Sequence, residues 1–247
     1  MVEKTLMGAV FFYQAYNDYL AGITADNNSN VTPGKGTDME HHWEEGFGYF
    51  GAARDYNNYT DAEIKSPGEK DSDGGASPFS SFPGNIDPAS EKCFYFAQTA
   101  AKRDIGSANF SAASRTNYTK VLFDAWLKGR AAISNTDFAT RDAQVVIIQD
   151  NWEKIIAATA VHYINETKAD LGAGPDWSGL KKHWSELKGY FNMIPHHANN
   201  KLGGADIATI NGYIGKKPGD ATVVNLDLAA ALIKSAYGFT DEQIAGW

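Results

Sequence analysis

The sequence has a single cysteine and no cluster of basic residues, and these absences remove several classes of function. Cys93 cannot form an internal disulfide, and the chain has no CxxC pair to hold a metal ion. The formal net charge is -8, so nucleic acid and anionic membrane surfaces are not expected partners. The apolar stretches fall short of the roughly 20 residues needed to span a bilayer.

The motifs of common catalytic sites are also missing. The sequence contains no G-x-S-x-G elbow, P-loop or dinucleotide fingerprint. Helical zinc peptidases usually carry H-E-x-x-H or H-x-x-E-H. Here His42-x-x-Glu45 is followed by Gly46, so the second histidine of such a motif is absent.

The residues that are present predict an all-α protein. Of the 247 residues 43% are hydrophobic and the mean hydropathy is -0.39, as in ordinary globular proteins. Apolar spacing predicts helices near residues 4–21, 37–50, 113–134, 137–168, 178–191, 205–213 and 224–237. Thr37 begins a capping box, and Asn135 or Thr136 is expected to cap the helix that starts near residue 137.

Residues 53–89 differ from the rest of the chain. They are rich in Gly, Ser, Pro, Asp and Asn and contain few aliphatic side chains. Loops of this length in compact domains commonly act as lids or binding loops. We therefore expect one long irregular loop that covers a binding site.

An internal repeat is the most informative feature. H-W-E-E-G-F-G-Y-F at residues 42–50 (motif 1) and H-W-S-E-L-K-G-Y-F at residues 183–191 (motif 2) are identical at six of nine positions. The preceding segments, residues 9–20 and 160–171, also correspond. Recurrence of two helices in order is typical of duplication. We expect helical repeats at 1–136 and 137–247, packed as a single globular unit with pseudo-twofold symmetry.

Each motif has a polar and an apolar face when it is helical, at about 100° per residue. The polar stripe consists of a histidine, a glutamate and a tyrosine in each motif: His42, Glu45, Tyr49, His183, Glu186 and Tyr190. The packing residues are expected to be Trp43, Gly48, Phe50, Trp184, Gly189 and Phe191. Because a glycine within a helix costs about 1 kcal/mol relative to alanine, Gly48 and Gly189 predict close approach of another backbone. His41 is expected to point away from the stripe.

The first hypothesis for the stripe is one transition metal ion bound between the repeats. Imidazole with carboxylate favours Zn, Fe or Mn over Mg or Ca. The ligands would be the histidines and glutamates of both motifs: His42, Glu45, His183 and Glu186. Tyr49, Tyr190 and Arg130 would orient these ligands, and Arg130 is expected to pair with a motif carboxylate.

Two further hypotheses remain open at this point. The stripe is equally consistent with a buried hydrogen-bond network that fixes the register of two helices without any ligand. A metal-dependent hydrolase is the third hypothesis, and the incomplete peptidase motif weighs against it. A non-enzymatic role is therefore favoured over catalysis.

The run M-E-H-H-W-E-E-G-F-G-Y-F-G at residues 39–51 resembles the signature of the bacterial domain-of-unknown-function family 4856. Residues 7–13 and 129–133 fit the same family. Members are typically exported and often lipid-anchored, which implies the periplasm or the cell surface. Residues 5–13 are interpreted as folded structure, so an export signal is absent from this sequence.

A looser similarity is to the imelysin-like proteins, which are all-helical, contain two related bundles, are linked to iron acquisition and carry G-x-H-x-x-E. His42 and Glu45 match that motif, while Glu40 stands where its glycine would be. The similarity implies an envelope protein that binds a metal or an iron-bearing ligand, with other envelope proteins as partners.

Overall fold

The computed structural model describes residues 1–29, 31–32, 36–52, 56–58, 60–61, 95–107, 110–172, 177–196 and 200–247. Within them the chain is almost entirely helical, so the all-α prediction is confirmed. The helices are α1 (Val2–Leu6), α2 (Asp38–Phe50), α3 (Tyr95–Ile105), α4 (Tyr118–Ser134), α5 (Phe138–Gly172), α6 (Trp177–Phe191), α7 (Gly204–Ile214), α8 (Val223–Tyr237) and α9 (Asp241–Gly246). Two short antiparallel strands, β1 (Val31–Thr32) and β2 (Gly36–Thr37), precede α2.

The first predicted helix exists, but most of it is not an α-helix. After α1 the chain continues as π-helix over Met7–Phe12 and Gln14–Leu20. A π-helix has i→i+5 hydrogen bonds and therefore more residues per turn than an α-helix. Faces calculated at about 100° per residue therefore do not apply along this segment.

The helix caps follow local side-chain chemistry. The predicted capping box of α2 is present, since Thr37 Oγ1 accepts from the Glu40 amide at 3.1 Å and Glu40 Oε2 accepts from the Thr37 amide at 3.0 Å. The predicted cap of α5 is wrong. Asp137 Oδ1 accepts from the Thr140 amide at 3.0 Å, whereas Thr136 has a φ of 55°.

The helices form two compact units, and the first unit contains motif 1. It consists of Phe11–Ile105 and Thr116–Ile155. Its core centres on Trp152, whose ring centroid lies 5.6 Å from that of Phe12, 5.3 Å from that of Phe50 and 5.1 Å from that of Phe96. Burial of these large rings is a major source of stability for this unit.

The second unit contains motif 2. It consists of Met1–Val10, Gly106–Arg115 and Ile156–Trp247. Helix α9 is held in place by Trp247, which is buried and packs edge-on against Phe239 with centroids 4.7 Å apart. The Ser107 amide donates to the Gly246 carbonyl at 2.7 Å, which joins two of the three segments.

Both units draw on both halves of the sequence. The repeats at 1–136 and 137–247, their pseudo-twofold axis and their packing as one globular unit stay predictions. The predicted loop at residues 53–89 lies outside the described residues, apart from 56–58 and 60–61. None of the described helices is long and apolar enough to cross a membrane.

Candidate functional site

His42 of motif 1 lies against a carboxylate on a preceding turn. Its Nδ1 is 2.9 Å from Oδ1 of Asp26, which follows the 3-10 turn Ile23–Ala25. The His42 side chain is 37% exposed, so its ring reaches solvent. A carboxylate at Nδ1 favours the tautomer that carries the proton there, which leaves the Nε2 lone pair available.

His183 of motif 2 makes the same contact. Its Nδ1 lies 2.9 Å from Oδ2 of Asp170, near the end of α5, and 3.9 Å from Oε2 of Glu166. The ring is less accessible than that of His42, with 19% of the side chain exposed. Each motif histidine is therefore oriented by an aspartate from the segment before it.

The tyrosines of the two stripes also have matching environments. Tyr49 stacks on Tyr19 with centroids 5.7 Å apart and ring planes at 24°. Tyr190 stacks on Tyr163 at 5.6 Å and 21°. The same partner tyrosines lie beside the histidine rings, at 5.5 Å in motif 1 and 6.2 Å in motif 2.

These contacts pair residues of the two copies that the sequence alignment did not pair. Tyr19 and Asp26 are seven residues apart, as are Tyr163 and Asp170, so the contacting residues correspond at an offset of 144. The alignment of residues 9–20 with 160–171 used an offset of 151. The missed signal is Y-x6-D before each motif, in Y-L-A-G-I-T-A-D and Y-I-N-E-T-K-A-D.

Glu45 does not contact the His42 ring through any hydrogen bond or ion pair among the described residues. Its Oε1 lies 3.3 Å from Nε2 of His41. Burial raises the pKa of Tyr19 to about 12, and the hydrogen bond from its hydroxyl to Glu45 acts in the same direction. His41 was expected to point away from the stripe, and the structure corrects this, since it shares Glu45 with Tyr19.

Glu186 has a different neighbour. The ammonium group of Lys4 lies 5.9 Å from the centre of the Tyr190 ring and 3.1 Å from Glu3 Oε1, and Glu186 acts on it electrostatically. Burial lowers the pKa of Lys4, but Tyr190 and the nearby carboxylates outweigh this effect and the pKa is raised overall. The two motif glutamates therefore have unlike surroundings: Glu45 bonds an imidazole and a tyrosine hydroxyl, whereas Glu186 acts on the ammonium group of Lys4 electrostatically.

Arg130 joins α4 to α2. Its Nη1 donates to Glu40 Oε1 at 2.6 Å, and its Nε donates to Glu44 Oε1 at 2.7 Å. Hydrogen bonds from Ser134 and from the Thr37 amide, with the charge of Arg130, hold the pKa of Glu40 below its ordinary value. Arg130 thus pairs with carboxylates of the motif 1 helix, but with Glu40 and Glu44 instead of Glu45.

The motif tryptophans are buried and hydrogen-bonded. Trp43 Nε1 donates to the Trp126 carbonyl at 2.9 Å, and Trp184 Nε1 donates to the Ile214 carbonyl at 2.9 Å. Gly129 leaves room for the Trp43 ring, because a Cβ there would overlap the indole. The neighbouring phenylalanines of the motifs, Phe50 and Phe191, are fully buried.

The two motif glycines have unlike surroundings. At Gly189 an ideal Cβ would lie 2.7 Å from Lys4 Cβ and 3.3 Å from the Met1 carbonyl oxygen, so another segment approaches closely. At Gly48, which is exposed, a Cβ would meet no described atom within 4 Å. The close approach expected at both glycines is found, among the described residues, at Gly189 alone.

A family model described as "Domain of unknown function (DUF4856)" matches residues 1–73 and 100–240, a span that includes both motifs. The chain belongs to the DUF4856 family. Neither a curated protein nor a solved structure matches it.

The side chains of this DUF4856 protein do not form a complete metal site within the described ranges. There, no group of three or more His, Cys, Asp or Glu side chains could hold a metal ion. His42 and Glu45 belong to the first unit, and His183 and Glu186 belong to the second. That these four residues share one ion stays a prediction.

Proposed function

We propose that this DUF4856 protein is an imelysin-like protein of the bacterial periplasm or cell surface that binds a transition metal ion or an iron-bearing ligand. The supporting observation is that Nδ1 of His42 and of His183 lies 2.9 Å from an aspartate carboxylate. Metal-binding histidines almost always donate their other ring N–H to a carboxylate, carbonyl or water. The envelope location rests on the family resemblance alone.

The Nε2 atoms would be the metal-binding atoms. Among the described residues neither Nε2 takes part in a hydrogen bond or ion pair. Imidazole nitrogen together with carboxylate oxygen suits Zn, Fe or Mn. Asp26 and Asp170 would fix the orientation of the two rings, and water or the iron-bearing ligand would supply donors that the protein does not.

Glu45 and Glu186 would join the ligand set only by giving up present contacts. Glu45 would have to leave His41 and Tyr19, and Glu186 would lose a favourable electrostatic interaction with Lys4. Part of the binding free energy would be spent on breaking these interactions. The histidines therefore contribute more to the proposed site than the glutamates.

We also propose that the two motifs descend from a duplicated helix pair. Three kinds of contact recur with each motif, namely the histidine–aspartate pair, the stacked tyrosines and the indole–carbonyl hydrogen bond. Recurrence of specific contacts between corresponding residues supports duplication more strongly than shared composition does.

A second candidate function is purely structural. Both imidazoles already bond a carboxylate through Nδ1, and the tyrosines are stacked, so these side chains have partners without any ligand. Under this hypothesis the contacts that recur in both motifs would fix how each helix pair packs, and the protein would act as an interaction module.

Elemental analysis of protein purified without chelator or nickel affinity resin separates the two candidates. We expect stoichiometric Zn, Fe or Mn in the wild type and its loss in a His42→Ala, His183→Ala double variant. His41→Ala is a matched control, as is His162→Ala, because His162 lies on α5 outside both motifs and packs edge-on against Tyr163. Both variants should retain the metal. Asp26→Asn with Asp170→Asn should weaken metal binding by about 10-fold to 100-fold.

Titration calorimetry with Zn²⁺ on chelator-treated protein tests metal binding directly. Metal-free protein that gives no binding heat, and whose melting temperature is the same with and without chelator, would reject metal binding. That outcome would support the structural candidate.

A further inference from the structure

Charge is divided unequally between the two units. The second unit has ten lysine and arginine residues and ten aspartate and glutamate residues, so its formal charge is zero. The first unit therefore carries the whole net charge of -8. The expectation that anionic surfaces are not partners was based on the net charge of the whole chain, and it does not extend to each part of the surface.

Half of the basic residues of the second unit lie on α6 or on the turn at residues 215–220, which connects α7 to α8: Lys181, Lys182, Lys188, Lys216 and Lys217. The Lys188 ammonium group donates to the Gly215 carbonyl at 3.2 Å. An ideal Cβ at Gly219 would lie 4.0 Å from the Trp177 ring. The side of α6 that carries Trp177 and Lys188 therefore runs along this turn.

The lysines beside the turn leave a cationic surface. Lys181 lies on the same side of α6 as Trp177, since the two are within about 40° of each other at about 100° per residue. Lys181 and Lys216 are exposed, and neither forms an ion pair among the described residues. Lys217 lies 4.0 Å from Asp220, which also accepts from the amides of Lys216 and Lys217. Asp220 thus offsets part of one lysine charge only.

Exposed apolar side chains border these lysines. Trp177 is 52% exposed, and Val223 and Val224, the first residues of α8 after the turn, are 41% and 68% exposed. Asp227, one helical turn further along α8, is paired with Lys168. A soluble polyanion would neutralise the lysines but leave the apolar side chains in water. The surface of a bilayer accommodates both, and tryptophan is enriched at membrane interfaces.

We infer that this part of the second unit binds the surface of a bilayer that contains anionic phospholipids. The residues that form this lysine–tryptophan surface are Trp177, Lys181, Lys216, Lys217 and Val224. The lysines contact lipid phosphate groups, while Trp177 and Val224 enter the interfacial region. The binding is peripheral and reversible, because so few side chains contribute far less than a spanning helix. This inference does not rest on metal binding.

Co-sedimentation of the full chain with large unilamellar vesicles measures this binding. The vesicles contain phosphatidylcholine alone or equal parts of phosphatidylcholine and phosphatidylglycerol. Chelator is present throughout, so that no metal ion can bridge protein and lipid. We expect binding to the phosphatidylglycerol vesicles to be at least about tenfold tighter, and to weaken as the salt concentration rises.

Two double variants separate the lysine–tryptophan surface from net charge. Lys181→Gln with Lys216→Gln should weaken binding by about 25-fold, at about fivefold per lysine. Lys120→Gln with Lys128→Gln is the matched control, because both are exposed lysines of α4 and the net charge changes equally. This control should change binding by less than about twofold, since it leaves the lysine–tryptophan surface intact. Circular dichroism verifies that both proteins are folded.

Trp177 fluorescence identifies the surface that contacts the lipid. All six tryptophans lie in the described ranges, and the other five are buried. A quencher within the bilayer therefore acts on Trp177 first. Saturating vesicles made with brominated phosphatidylglycerol should quench the fluorescence of the wild type and leave that of Trp177→Phe almost unchanged.

Equal binding to the two kinds of vesicle would overturn the inference. Equal weakening by the two double variants would do so as well, because net charge alone would then explain the result. Binding without quenching of Trp177 would mean that another surface contacts the lipid. Binding to dextran sulfate, a soluble polyanion, without binding to vesicles would show that the lysines recognise acidic polymers instead.

Discussion

Asp104 is a carboxylate enclosed by the protein, with 1% of its surface exposed. It lies on α3 and accepts hydrogen bonds from the amides of Tyr118 and Thr119, at 2.7 Å and 2.8 Å, at the start of α4. Burial raises the pKa of Asp104 to about 6, although these hydrogen bonds and that from Thr116 lower it. Asp104 of α3 thus caps the first turn of α4, and the free-energy cost of burying its charge depends on pH.

The raised pKa gives this group a defined contribution to the pH dependence of stability. Between the unfolded pKa, about 3.9, and the folded value, the folded state binds more protons than the unfolded state. The free energy of unfolding should therefore fall as pH rises from about 4 to about 6. We expect the contribution of Asp104 to be roughly 2–3 kcal/mol larger at pH 4 than at pH 7.

Urea denaturation of the wild type and of Asp104→Asn at pH 4, 5, 6 and 7 measures this contribution. The other titrating groups are common to both proteins and cancel in the difference. The advantage of the wild type should shrink as pH rises. A difference that is constant with pH would show that Asp104 has an ordinary pKa.

The two motif glycines predict opposite effects of the same substitution. Gly48→Ala should raise the free energy of unfolding by roughly 0.5 kcal/mol, because alanine restricts the unfolded chain and its methyl group has space. Gly189→Ala should lower it by roughly 1–3 kcal/mol, because its Cβ would lie 2.7 Å from Lys4 Cβ. Thermal and urea denaturation measure both. A loss of stability in Gly48→Ala would mean that its surroundings are not open.

At the level of single residues the sequence located the polar stripes but not their partners. His42 and His183 stand out because their motifs match without gaps. Asp26 and Asp170 do not, since an isolated acid near a helix end resembles any solvated surface acid. The two possible alignments of the preceding segments differ by seven residues, which is about two α-helical turns. Apolar positions therefore match in both alignments, and this concealed the one that the contacts support.

At the scale of the element, the hydrogen bond of one indole joins each motif helix to a neighbouring helix. Trp43 binds the carbonyl of Trp126 within α4, and Trp184 binds the carbonyl of Ile214 at the end of α7. Both bonds lie in the core, where a carbonyl deprived of its donor is costly. These contacts fix each motif helix along and around its axis.

Trp43→Phe and Trp184→Phe should each lower the free energy of unfolding by roughly 2–4 kcal/mol, through the lost hydrogen bond and the cavity left by the smaller ring. Trp177→Phe is the control, because Trp177 is 52% exposed and should change stability little. Urea denaturation gives the comparison. Equal small effects in all three variants would contradict the anchoring role.

Apolar periodicity predicted where most helices lie, but it did not predict which of them are π-helical. The predicted helix at 37–50 ends where α2 ends, because Gly51 adopts the left-handed conformation that terminates helices. The π-helical segments Met7–Phe12 and Gln14–Leu20 were not foreseen, since no residue type specifies i→i+5 bonding. The α3 helix was also missed, as its sequence follows the polar stretch assigned to the loop.

At the scale of the whole molecule, the compact units are assembled from separate segments. The second unit needs residues 1–10 and 106–115 in addition to 156–247, and the first unit needs residues 116–155 after its long N-terminal segment. Sequence repeats suggest a division near residue 136, because duplication copies contiguous chain. Packing groups residues by contact instead, which composition and periodicity do not reveal.

Division of the chain at residue 136 should therefore yield fragments that do not fold. We expect separately produced 1–136 and 137–247 to show poor NMR dispersion and no cooperative thermal transition, because each lacks segments of the units that it contains. The intact chain is the control. Native-like spectra from either fragment would show that the sequence halves are autonomous domains.

The second unit is assembled from segments far apart in the sequence, which affects how it folds during synthesis. Residues 1–10 are synthesised long before most of their unit, whose largest segment begins at residue 156. At about 5–20 residues per second, residues 1–10 wait on the order of ten seconds before that segment is synthesised. During that interval the apolar side chains of residues 1–10 offer a binding site for a chaperone.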